Sequence, residues 1–276
     1  MNTPTLKSDN LAVELRSGRH YGVFLDDTGS PGLNTPGLHA QRKSWVAVVV
    51  PPHQTAEVID QLPKALSFLQ ELGLEDPEFH FTEIWAGRGE FCKLDLPQRL
   101  GNFRFMAHIF ATYRFRVLVQ TFEPQNATTI LSRADWPDSF GPLKFSNHED
   151  LALIFTLVRV RMHLNSLDDG NATACVVVDE GCLSSGKAIV LPGLAPTFCA
   201  GAVHFASSRL FNPIQLADFA AFVMNRWQIL RVKERLTELD KALLEIVSPI
   251  CQSFVNIDSV PVHGWPNITH LRQGMN

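Results

Sequence analysis

Two stretches of this chain share one design. Tyr21-Gly22-Val23-Phe24-Leu25 is a short apolar run, aromatic and β-branched, that stops at Asp26-Asp27-Thr28-Gly29-Ser30. Such a run predicts a buried strand, and Gly29, Pro31 and Gly32 break it. Asp26 then stands at the C-terminal end of a central strand, where α/β sheets place their chemistry. Ala174 to Val178 repeats the arrangement and ends in Asp179-Glu180-Gly181. Asp and Thr also begin turns by bonding their own backbone, so the first stretch alone has a purely structural explanation as well.

Taken in order, residues 1–18 read as a loose arm and about 20–26 as the first strand. A loop rich in Gly, Pro and Asn follows from Thr28 to Lys43, and Ser44 to Val50 is a second strand, antiparallel to the first. Val58, Ile59, Leu62, Leu66, Leu69 and Leu72 recur at helical spacing, with Thr55 as a cap, Gly73 as a stop and Pro63 as a kink. A helix through Leu100, Phe103, Met106 and Phe110 follows Pro97. Phe115 to Phe122 is a strand, and 123–145 reads as irregular. Ser146-Asn147-His148-Glu149 forms a capping box before a long apolar helix to about Leu167. Val203 to Ala206 is a short strand, Pro213 opens a helix through Gln215, Asp218 and Arg226, and a last helix covers about 238–254. The expected fold class is α/β, a mixed sheet flanked by helices: a domain over 19–236 and a C-terminal helical extension, 237–276, packed on it.

Composition narrows the classes. With 276 residues, 45% hydrophobic and 19% charged, the chain suits one large domain. A net charge of -4 excludes a protein basic all over, so a nucleic acid partner would need a local groove. The five cysteines are odd in number and hold no Cys-x-x-Cys, against a disulfide framework or zinc ribbon. No apolar run reaches membrane-spanning length and the first ten residues are polar, so a cytoplasmic location and no membrane partner are expected.

Four acidic positions stand out: Asp26, Glu83, Asp179 and Asp218. Asp218 lies among Ile214, Leu216, Ala217, Phe219 and Phe222, where a carboxylate is costly unless paired or metal-bound. Stabilisation by the helix dipole is the alternative. Gln215, three residues earlier, faces the same side. Hard divalent cations take oxygen ligands, and paired ions clamp the attacking and leaving oxygens of a phosphodiester. Asp27 and Glu180 point away from their neighbours if the strands continue. His80 and His204 are candidates for phosphate contact or proton transfer, beside the commoner structural histidine. Ser207-Ser208-Arg209 is a candidate phosphate loop or an ordinary polar one. Arg226, Arg231, Lys233 and Arg235 follow on one helix, as backbone contacts or a solvated face.

Leu25-Asp26-Asp27-Thr28-Gly29-Ser30 resembles the Asp-Glu-Ser-Gly signature of an uncharacterised family, domain of unknown function 3800. Gln215-Leu216-Ala217-Asp218 matches that family's Gln-Leu-Ala-Asp helix. Phe79-His80-Phe81 with Glu83 resembles its middle segment, and Val176 to Glu180 its second strand. The motifs keep the family order over about residues 20–230. Asp27 replaces Glu and Thr28 replaces Ser, both keeping the chemical type. The resemblance implies a ribonuclease H-like fold and a metal-dependent nuclease: Asp26, Asp179, Asp218 and Glu83 as catalytic ligands of one or two Mg²⁺ or Mn²⁺ ions, nucleic acid as substrate, and Asp27, His80, Glu180, His204, Ser207 and Gln215 around them. Two other resemblances compete. Asp27 to Ser30 resembles the phosphate turn of actin-like kinases, which use two such domains, and one is found here. Asp26 to Ser30 also resembles the loop of haloacid dehalogenase-like phosphatases, which place a second Asp where Thr28 stands. A non-catalytic interaction module on the same fold is a further class.

Overall fold

The computed structural model describes residues 8–29, 39–132, 138–167 and 170–255. Ser30 of the first motif, most of the loop before Lys43 and residues 256–276 of the expected extension lie outside them. A six-stranded sheet forms the centre, in the order β3-β2-β1-β6-β8-β7. These strands are β1 (Tyr21–Asp27), β2 (Lys43–Val50), β3 (Arg116–Phe122), β6 (Ala174–Asp179), β7 (Ala188–Val190) and β8 (Phe198–Ala206). β2 runs antiparallel to both of its neighbours, β1 and β3, β6 runs parallel to β1 and β8 parallel to β6, and β7 returns antiparallel beside β8. The mixed sheet with its first strands antiparallel is therefore present.

Helices cover both faces, which is why the central strands are continuous apolar runs. Phe24, Val46, Val48, Val117 and Val177 face α2 (Pro52–Glu71), α4 (Leu96–Tyr113) and α7 (Gln215–Arg231). Val23, Leu25, Ala47, Val176 and Val178 face α6 (His148–Asn165). The strand alternation thus assigns every second residue to each core. α8 (Glu238–Val247) buries Leu243 and Val247 in the same core as α4. Residues 253–255 hydrogen-bond to Val117 and cover the open edge of β3.

Several boundaries differ from the sequence reading. The expected arm is, from Ser8, a helix: α1 (Ser8–Arg16) buries Leu11 and Leu15 and ties Arg16 to Asp60 of α2 at 2.9 Å. The stretch read as irregular holds α5 (Pro124–Leu131) and a small hairpin, β4 (Ser139–Phe140) with β5 (Leu143–Lys144). Asn147, not Ser146, caps α6, because its side chain is the acceptor for Glu149 N. Pro51 precedes α2, and Thr55 instead sits inside the helix, its hydroxyl bonded to Pro51 O. Pro63 remains within α2 on an exposed position. The last helix ends at Val247 and continues as a 3₁₀ turn, Ser248–Gln252. α7 stops at Arg231, so Lys233 and Arg235 leave it; Lys233 pairs with Asp240, and Arg226 stacks on Trp85 at 4.7 Å.

Candidate functional site

Register builds the first half of the site. Leu25 of β1 is paired with Val178 of β6, so Asp26 and Asp179 are the next residues on adjacent parallel strands. Strand neighbours lie ~4.8 Å apart. Both carboxylates share the parity of Phe24 and Val177 and so emerge on the α7 face. From above, α7 contributes Asp218 in its first turn. The three acids line one cavity of about 470 Å³, together with Asp27, Thr28, Gly29, His80, Glu83 and Ser208.

A short helix, α3 (Phe81–Ala86), closes one side. Phe79 and Phe81 are buried, and Phe81 packs on Phe103 and Phe219 at 5.2 and 4.8 Å. His80 between them is turned outward, where its Nδ1 meets Asp218 Oδ2 at 3.0 Å. The Phe81 amide also favours the Asp218 charge, against the larger effect of burial. Gln215 is wholly buried and braces the same junction: its Oε1 accepts from Phe79 N at 3.2 Å, and its Nε2 donates to Ser208 O at 3.1 Å. Glu78 completes the stitch, accepting from the Ser208 hydroxyl and from Arg209 Nε.

The electrostatics are those of crowded acids. Burial first, then repulsion from Asp218, Asp179 and Asp27, raises the Asp26 carboxyl well above its ordinary range. Burial, with help from the charges of Asp218 and Glu180, lifts Asp179 to about 6. Asp218 is raised by burial despite the His80 bond. His80 is pushed up to about 9, chiefly by that bond and further by Glu78 and Glu83. Asp179 Oδ1 is shut off from solvent and has no hydrogen-bond partner among the described residues. Among the described residues, no three His, Cys, Asp or Glu side chains form a closed ligand set as they stand.

The other expected residues divide. Glu83 and His80 line the cavity; Gln215 lies behind it as the brace. Asp27 reaches it too, but its Oδ1 is bonded to Gly29 N at 2.6 Å and to Lys43 Nζ at 2.7 Å, a turn-forming role. Besides Gln215, three are not brought to the cavity lining. Glu180 receives the Ser185 amide on an outer loop. His204 is buried in β8, and burial lowers its pKa, so it is a neutral core residue. Ser207 is held at the strand end by Ser185 Oγ, and its neighbour Ser208 lines the cavity instead. Sequence reasoning passed over Glu78, Thr82, Arg88 and Asn225. Asn225 was readable, since Asp218, Ala221, Phe222 and Asn225 recur at i, i+3, i+4 and i+7. Arg88, flanked by Gly87 and Gly89, had the weaker signal of a turn.

No protein-family model matches this chain, and no curated protein or solved structure matches it either. The site's own geometry is what bears on function. No described helix is long and apolar enough to cross a membrane.

Proposed function

We propose that the chain is a metal-dependent hydrolase that cuts phosphodiester bonds in nucleic acid, on a ribonuclease H-like fold. The observation that carries this reading is the meeting of Asp26, Asp179 and Asp218 on one face of one cavity, with all three carboxyls raised. Three antiparallel strands followed by parallel ones, with acids ending the two central strands, support the fold assignment. That the segments resembling domain of unknown function 3800 supply the same cavity or its brace supports the family assignment.

The residues fit a hard divalent cation. The donors are all oxygen, the acids repel one another without a compensating charge at Asp26, and Asp179 offers an unpartnered buried oxygen. Asp26, Asp179 and Asp218 would hold one or two Mg²⁺ or Mn²⁺ ions, with Glu83 at the margin. Such an ion supplies a Lewis acid against the phosphate charge and activates water for in-line attack. The chain's own groups do the rest. Gln215 and Glu78 fix the segment that carries His80. With Nδ1 engaged by Asp218, His80 is left Nε2 to meet the substrate, and a pKa of about 9 keeps it a donor at neutral pH. Lys43 neutralises Asp27 and keeps that carboxylate in its turn.

Phosphoryl transfer of the two competing kinds has less support. Thr28, where a phosphatase would place its second acid, is buried and turns its hydroxyl to Gly29 O. The described residues hold one such sheet, not the pair an actin-like kinase uses. The test is a panel of end-labelled DNA, RNA, hybrid and single strands, incubated with Mg²⁺, Mn²⁺ or chelator. Metal-dependent cleavage lost in Asp26→Asn and Asp218→Asn is expected. Cleavage of no substrate, or equal cleavage by both variants, would overturn the reading.

A further inference from the structure

The acids occupy one end of the cavity, and the other end has a different character. There the lining is Thr82, Arg88, Ala221, Phe222 and Asn225. Asn225 lies seven residues after Asp218, hence two turns or ~10 Å along α7. Among the described residues neither its Oδ1, which is closed to solvent, nor its amide nitrogen has a hydrogen-bond partner, which leaves the NH₂ as the group that can meet a ligand. A carboxamide beside Ala221 and Phe222, with no structural bond, needs another explanation. Beside it Phe222 forms a fixed apolar wall, packed by Phe103 and Trp85 at 5.1 and 6.2 Å.

Arg88 stands on a turn built to hold it. Gly87 and Gly89 on either side take φ of 60° and 57°, a region that favours glycine. Arg99 bolts the turn from below by donating to Ile84 O and Trp85 O at 3.3 and 3.0 Å. A Cβ at Gly87 would come within 2.6 Å of Arg99 Nη1. Five carboxylates line this cavity, yet the Arg88 guanidinium makes no hydrogen bond or ion pair with any described residue. The turn keeps it off the acids and presents it to whatever enters.

We infer that this end binds one nucleotide unit of a single-stranded nucleic acid: Arg88 takes a phosphate, Asn225 a base edge, and Phe222 with Ala221 the base's apolar surface. This rests on the nuclease reading above. Base edges and faces are open to such contacts only when the base is unpaired. The cavity has the volume of a small-ligand pocket. A net charge of -4 is unlike the broad basic face that grips duplex phosphates.

The test is fluorescence anisotropy on the full chain, with Ca²⁺ present to limit turnover. The probes are labelled eight-nucleotide DNA and RNA single strands, a labelled 20-base-pair duplex and unlabelled AMP as competitor. Variants are Arg88→Gln, Arg88→Lys and Asn225→Ala, each checked for an unchanged melting temperature. Single strands should bind in preference to the duplex. Arg88→Gln should weaken single-strand binding about tenfold and flatten its log-log salt slope by ~0.7, the loss of one phosphate contact. Arg88→Lys should restore the slope. Asn225→Ala should weaken binding several-fold at an unchanged slope, as loss of a base contact would. AMP should compete weakly; competition as strong as that of the strand would make a free nucleotide the ligand and overturn the single-strand assignment. So would a duplex bound as tightly as the strand, or an Arg88→Gln variant with affinity and slope intact. Cleavage with no Arg88 effect removes this inference and leaves the nuclease standing. Neither binding nor cleavage of any nucleic acid removes both.

Discussion

Replacing Asp179 by Asn should make the metal-free protein more stable, and only at neutral or higher pH. Burial, aided by the Asp218 and Glu180 charges, raises this carboxyl from an ordinary 3.8 to about 6. That rise corresponds to ~3 kcal/mol against the charged form. Asp179 is partly open to water, and screening cuts the figure to ~1.5 kcal/mol. The folded protein holds the proton more tightly than the unfolded chain does. The penalty is therefore absent below the ordinary value of 3.8, grows up to about 6 and is complete above that. Asn removes the charge at every pH, and its NH₂ can take the place of the orphan Oδ1. In chelator at pH 8 the variant should melt ~4 °C above wild type, and near pH 4 the two should coincide. Mg²⁺ at 100 times its Kd should add ~2.7 kcal/mol to wild type and less to the variant, reversing the order. Thermal unfolding across this pH range, with and without metal, decides it. A variant less stable at pH 8, or a difference that ignores pH, would refute the reasoning.

Asp218→Asn should release His80, whose imidazole should then titrate well below about 9 and toward the ordinary 6.5; an NMR pH titration with the His80 signal unmoved would show that Asp218 does not hold it. Gln215→Leu leaves the Phe79 amide and the Ser208 carbonyl unpaired, at a cost of ~1–3 kcal/mol. Hydrogen exchange at Phe79 should accelerate accordingly, and unchanged protection would count against the brace. Gly87→Ala should destabilise by ~1–3 kcal/mol, because φ is positive there and Arg99 blocks the methyl. Gly101→Ala, inside α4 with nothing within 4 Å of its added Cβ, should instead stabilise by up to ~1 kcal/mol. Denaturant melts of the pair should differ in sign, and like signs would contradict the backbone account.

What the sequence shows clearly is strand interiors and the residues that end them. β1, β2, β3 and β6 are short β-branched runs buried on both faces, so hydrophobicity alone marks them. The acids that end β1 and β6, and the one costly carboxylate in α7, stand out against that apolar background. Short or weakly patterned elements do not. β7 spans three residues, and α1 buries only Leu11 and Leu15 among its described side chains, so neither rises above its surroundings until tertiary contacts stabilise it. His204 was a candidate for phosphate contact or proton transfer because an imidazole can do either, but burial decides its state, and burial is a property of the finished sheet.

Which acids meet was beyond the sequence for a stricter reason. A slip of one residue between β1 and β6 would leave every local propensity unchanged and turn Asp26 toward α6. The pairing of Leu25 with Val178 is fixed by Phe24 and Val177 filling one core while Val23 and Val176 fill the other. Arg88 and Glu78 belong to the same category. Each is an ordinary polar residue in its own segment, and each acquires a position relative to the acids only when α3, α7 and the loop after β8 are stitched together by Gln215. The sequence by itself therefore determined the strand interiors and the kind of chemistry available at their ends. The distances that bring carboxylates, an imidazole and a guanidinium to one cavity came from long-range packing, because no local preference in the chain encodes them.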